Sequence, residues 1–125
     1  MHRDVPAAIP SRIRPGARKS EAVVAGGLVF ISGQVCPDAE CKGTEQQTVA
    51  ILAIIDQILS EAGTDKSLLV SSTVWLRDIG EIAEMNRAWQ AWVTPENAPA
   101  RATVQATLGG PHYRIEIAAV AAART

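Results

Sequence analysis

Residues 113–122 constrain this fold more than any other stretch. They read Tyr-Arg-Ile-Glu-Ile-Ala-Ala-Val-Ala-Ala, a strand by composition and by the turn residues that precede it. Alternate side chains of a strand face opposite ways. Here Ile117, Ala119 and Ala121 fall on one side, and Ala118, Val120 and Ala122 on the other. A strand that is apolar on both sides needs cover on both.

Two helices can supply only one of those covers. The first is predicted from Thr44 to Ala62, where Val49, Leu52, Ile55, Ile58 and Leu59 recur at helical spacing and Ile51 and Ile54 widen the stripe. Thr44 and Gln47 have the form of a capping box, and Gly63 stands where a left-handed C-terminal residue belongs. The second helix is predicted from Asp78, with Glu81 as its capping partner, to about Val93, just before Pro95. Ile82, Met85, Ala88, Trp89 and Trp92 form its apolar face, and Asn86 lies off that stripe. The other side of the sheet is left open, and another copy of the chain is the simplest cover.

The remaining strands are predicted at 20–24, 28–35 and 68–77. The first two are joined by Ala25-Gly26-Gly27, a hairpin signal because glycine supplies the positive φ the turn needs. Gly33 interrupts the second of them, which marks either a packing glycine or a point where another group approaches the backbone. Residues 1–18 carry Pro6, Pro10 and Pro15 and are read as an irregular arm, with only a weak strand signal at 9–14. The class is α+β, in a single domain over 1–125.

The stretch after Pro99 alternates, with Arg101, Thr103, Gln105 and Thr107 on one side and Ala102, Val104, Ala106 and Leu108 on the other. It reads as a half-buried strand. Paired with 113–122 across the turn Gly109-Gly110-Pro111-His112, it would bring Arg101, Thr103 and Glu116 to one face; a slip of one residue would reverse this. A guanidinium on a stiff element can grip a carboxylate bidentately, and a carboxylate can deprotonate or position a water. That pairing suits hydrolysis of a small acid.

Other chemistries find less support. The sequence has no phosphate-binding loop, dinucleotide fingerprint, HExxH or GxSxG motif. His2 and His112 have no signalled triad partners. Cys36 and Cys41 have no histidine nearby in sequence, so a zinc site would need ligands from elsewhere; they read as free loop thiols in preference to metal ligands, with a disulfide under oxidation as a further alternative. The net charge of −1 and the lack of a basic block disfavour a nucleic-acid surface. No apolar run reaches the length of a membrane span, residues 1–6 lack a signal peptide's apolar core, and the expected location is the cytosol.

Five segments in order, 28–35, 62–66, 85–89, 99–104 and 115–117, resemble the RidA (YjgF/YER057c/UK114) family. The resemblance covers the chain from about Val23 to Ala122. It implies a chorismate-mutase-like fold, a mixed sheet backed by two helices, and a homotrimer with clefts between subunits. It also implies hydrolysis of reactive enamine and imine intermediates, made from amino acids by pyridoxal-phosphate enzymes, to 2-keto acids and ammonia. Arg101 would then bind the substrate carboxylate and Glu116 orient the attacking water. Backbone groups at Gly33 and Thr103 would line the cleft, Asn86 matches a position near it, and no metal or cofactor is implied. A trimeric carboxylate-binding protein without turnover is the alternative, and the family's endoribonuclease activity is disfavoured by the charge. The family's usual G-P-Y-[ST]-Q-[AG] segment is replaced here by residues 14–22, with Lys19 roughly where the tyrosine stands.

Overall fold

The computed structural model describes residues 9–124. Six strands form one sheet: β1 (Ser11–Pro15), β2 (Ser20–Ala25), β3 (Leu28–Gln34), β4 (Leu69–Leu76), β5 (Ala100–Gln105) and β6 (Ile115–Ala122). Their spatial order is β1-β2-β3-β6-β4-β5. All neighbours are antiparallel except β4 and β5, which run parallel. Parallel neighbours need a crossover, and here it contains helix α2 (Ile82–Trp92). Helix α1 (Thr44–Glu61) connects β3 to β4.

The doubly apolar strand β6 lies inside the sheet, between β3 and β4. Its Ile115, Ile117, Ala119 and Ala121 stand opposite Leu76, Val74, Ile31 and Val29 across the two interfaces. All eight side chains are buried, and they merge into one core with Ile51, Leu52, Ile55, Ile58 and Leu59 of α1 and Met85 and Trp89 of α2. Both helices therefore cover the same side. On the opposite side Phe30 pairs with Val120, Thr73 with Ala118, and Trp75 with both Glu116 and Val104. Phe30 and Val104 keep 46% and 44% of their surface exposed. The open apolar face expected from 113–122 is present.

The hairpin signal at Gly26-Gly27 is realised with both glycines at positive φ. So is the stop signal of α1. Gly63 has φ +78, its N–H donates to the Ser60 carbonyl, and the Thr64 N–H donates to the Leu59 carbonyl. That is the Schellman pattern.

Four expectations are corrected. The arm is not irregular throughout, since residues 11–15 form β1 on the sheet edge; residues 1–8 lie outside the described chain. Edge pairing with β2 outweighs the proline signal because Pro15 comes last in the strand, where a missing N–H costs least. Thr44 and Gln47 do not form a capping box. Gln47 is buried, donates to the Cys41 and His112 carbonyls at 2.7 and 2.8 Å, and accepts the Arg114 N–H at 2.8 Å. Thr44 instead donates to Glu81, which also takes the Arg114 guanidinium at 2.6 Å, so Glu81 is no capping partner for Asp78. Asp78 caps a short 3-10 turn, Ile79–Glu81, through the Gly80 N–H. Lastly, β5 is not half-buried and does not pair with β6. It is an exposed edge strand that ends at Gln105, and β4 lies between the two.

Candidate functional site

The intervening strand settles which candidate residues share a face. Arg101 stands opposite Ser72, whereas Glu116 stands opposite Trp75. Ser72 and Trp75 are three apart on a regular stretch of β4, so their side chains point to opposite sides. Arg101 and Thr103 therefore lie on the helix side of the sheet and Glu116 on the open side. The expected shared face of Arg101, Thr103 and Glu116 does not exist within one chain. Register was the weak point of that expectation, and the insertion of β4 decides it.

Glu116 and Gly33, in contrast, are brought together. The β3–β6 register shifts between Ile31 and Gln34, a bulge that places Gly33 beneath the Glu116 carboxylate. A Cβ built on Gly33 would lie 2.0 Å from Glu116 Oε2 and 2.9 Å from its Cδ. Of the two readings of that glycine, close approach of another group is the right one. Glu116 itself is half-buried.

A polar network pins the bulge, and sequence reasoning does not assemble it. The Gln34 amide, only 7% exposed, donates to Glu21 Oε1 at 2.9 Å and to the Ser32 carbonyl at 3.1 Å. Ser32 Oγ donates to the Glu21 carbonyl at 3.1 Å, and Lys19 Nζ reaches both Glu21 Oε1 and Ser32 Oγ at 3.5 Å. The Gln34 hydrogen bond, helped by Lys19 and Ser32, holds the Glu21 carboxyl below the usual carboxylate range despite its partial burial. The polar positions 32 and 34 in an otherwise apolar strand are the available signal.

On the other side, Arg101 rests on α2. Its guanidinium lies over the Trp89 ring at 5.1 Å, with Nη1 3.6 Å from Met85 Sδ. These contacts hold the group without neutralising it. Burial lowers its pKa, yet a guanidinium stays charged at any physiological pH. Among the described residues no carboxylate pairs with it. Thr103 is half-buried on the same side, opposite Val74, and Asn86 is half-buried on α2 next to Met85.

Cys36 is buried and Cys41 half-buried, both as free thiols. The neighbouring Cys36 thiol, partial burial and Asp38 push the Cys41 pKa up, which makes it a poor nucleophile. Among the described residues no group of three or more His, Cys, Asp and Glu is arranged to hold a metal ion, and no helix is long and apolar enough to cross a membrane.

Residues 9–123 match the family model described as Endoribonuclease L-PSP. The structure also superposes on a YjgF-family protein from Neisseria meningitidis with a TM-score of 0.90 and 41% identity, over 94% of this chain and 97% of that one. The chain belongs to the YjgF/YER057c/UK114 family. A RutC family protein from Haemophilus ducreyi is 42% identical over 112 residues, covering 90% of this chain and 95% of its own. The RutC family protein YoaB from Escherichia coli K12 is 40% identical over 111 residues, covering 89% and 96%. The α+β sheet with two helices is thus the YjgF fold, and it leaves the Glu116–Gly33 face open.

Proposed function

We propose that the protein is an enamine/imine deaminase whose site forms between subunits of a homotrimer. The observation that carries the reading is the division of the site residues between the two faces of one sheet. Glu116 with Gly33 is on the open apolar side, and an unpaired Arg101 is on an exposed edge. One chain cannot bring them to one substrate. A second copy that covers the open face can offer its own edge strand, and with it Arg101, to the first copy's Glu116. A face-to-edge contact of this kind is heterologous and closes into a ring, so in a trimer every open face is covered.

The reaction fits the groups. An enamine such as 2-aminoacrylate first tautomerises to the imine, 2-iminopropanoate. Arg101 holds the carboxylate through its fork of donors. Glu116 takes a proton from water as the water oxygen bonds to the imine carbon and the C=N electrons move to nitrogen. Glu116 passes that proton to the nitrogen of the resulting carbinolamine, and takes the hydroxyl proton in turn. Ammonia then leaves as the hydroxyl becomes the carbonyl, giving a 2-keto acid. Gly33 leaves room for the Glu116 carboxylate beside its backbone. Thr103 and Asn86 belong to the Arg101 side of the cleft, and no cofactor takes part.

The test is ammonia release from 2-aminoacrylate generated in situ from serine by a dehydratase. Acceleration over spontaneous hydrolysis is expected. A rate equal to that of buffer overturns the reading.

A further inference from the structure

We infer that Lys19 and Arg18 form an anion subsite beside Glu116, which selects substrates carrying a second acidic group. This rests on reading Glu116 and Gly33 as part of the cleft. It names the substrate class as a 2-imino dicarboxylate or its 2-keto product.

Lys19 lies in the loop between β1 and β2 and belongs to the same polar network as the bulge. Its ammonium is 3.5 Å from Ser32 Oγ. Ser32 is one backbone step, about 3.8 Å, from Gly33, whose Cα carries the Glu116 carboxylate above it. Lys19 is thus linked to Glu116 through Ser32 and Gly33 of the bulge. The two contacts of Lys19, to Glu21 and Ser32, are both long at 3.5 Å. Lys19 has three N–H donors and stays largely exposed, so it can reach a further acceptor.

The space around it is built for an anion. A cavity of about 400 Å³ opens against the loop and is lined by Arg14, Arg18, Lys19 and Glu21 with Gly16 and Ala17. Arg14 is engaged by Glu61, and Lys19 is partly balanced by Glu21. The Glu21 carboxylate is itself occupied by the buried Gln34 amide. Among these groups, Arg18 supplies one positive charge that no lining carboxylate matches. The Glu21 carboxylate alone would repel a second carboxylate; Arg18 and Lys19 reverse that sign. An ammonium on a flexible stem suits the role, because it can follow a distal carboxylate whose length varies.

The experiment is calorimetry on the full chain with two probes, 2-oxobutyrate and 2-oxoglutarate, at low and high salt. Wild type is expected to prefer 2-oxoglutarate by about fivefold to tenfold, between the worth of an exposed ion pair and that of a charged hydrogen bond. The preference should shrink in high salt. In the Lys19→Gln/Arg18→Gln double variant the ratio of the two affinities should fall to one or below, and Lys19→Arg should keep the preference. Equal binding of both acids by wild type, or a preference that survives the double variant, overturns the subsite while leaving the deaminase reading intact. If 2-oxoglutarate binds through Lys19 and Arg18 but 2-oxobutyrate does not bind, the subsite holds and the Arg101 clamp fails. Binding of neither acid overturns both.

Discussion

Glu116 and Gly33 face each other across the β3–β6 bulge so closely that a single methyl group on Gly33 would sit 2.0 Å from Glu116 Oε2. The clash falls on the end of a side chain and not on backbone, and Gly33 does not have positive φ. Gly33→Ala should therefore fold, with a melting temperature within a few degrees of wild type. It should displace the carboxylate and lower turnover about tenfold or more, as misplacement of a catalytic group does. Ammonia-release kinetics beside thermal denaturation read both. Wild-type turnover in this variant would show that the position of Glu116 does not matter.

Glu116→Gln removes the proton acceptor and keeps the shape. Turnover should fall by about a hundredfold or more, with 2-keto acid affinity nearly unchanged. Unchanged turnover would sink the catalytic role. A protein that binds the acid equally well in both forms and turns over nothing would be the binding-only member of the family.

Arg101→Ala should weaken 2-oxobutyrate binding about tenfold to a hundredfold, the range of a lost charge-assisted hydrogen bond. Arg101→Lys should recover little of it, because an ammonium cannot reproduce the fork. The loss should cost stability only about 1 kcal/mol, the worth of a cation–π contact, since the guanidinium's contacts are with the Trp89 ring and the Met85 sulfur. Full affinity in Arg101→Lys would mean that charge alone suffices.

Placement of Arg101 and Glu116 on opposite faces predicts complementation. Arg101→Ala and Glu116→Gln are each expected to be inactive alone. Unfolded together and refolded as mixed trimers, they should recover about a quarter of wild-type activity, because an intersubunit cleft can take each intact residue from a different copy. Sedimentation should return a trimer throughout. No recovery on mixing, or a monomer, would remove the intersubunit site.

The Glu81–Arg114 pair sets an acid limit on stability. The Arg114 hydrogen bond, with Thr44 assisting, lowers the Glu81 pKa from its ordinary 4.5. A carboxyl with a depressed folded pKa stabilises fully above its unfolded value and loses that contribution as pH falls through the folded one. Glu81→Gln should thus be less stable than wild type at pH 7, and the gap should close below pH 4.5. Denaturant melts at both pH values check this; a gap that stays constant with pH would assign the loss to packing.

What the sequence settles by itself are the features written in local chemistry. The period of residues 44–62 and the glycine at 63 define α1 and its Schellman end. Gly26-Gly27 defines a hairpin, because few other residues take two positive φ values in succession. The two apolar sides of 115–122 require an inner strand and a second cover, because removing such side chains from water is what chiefly drives folding. Gly33 stands out in its strand as a possible point of close approach, though nothing nearby names its partner. What only tertiary structure decides is who stands next to whom. Nothing local distinguishes a β5–β6 hairpin from a parallel β4–β5 pair, since both present the same alternation, and strand order depends on contacts far apart in sequence. That one choice moves Arg101 to the opposite face from Glu116. The same long-range choices take Gln47 and Glu81 from their capping roles, because part-buried backbone groups at Arg114, His112 and Cys41 and the guanidinium of Arg114 find their partners in them.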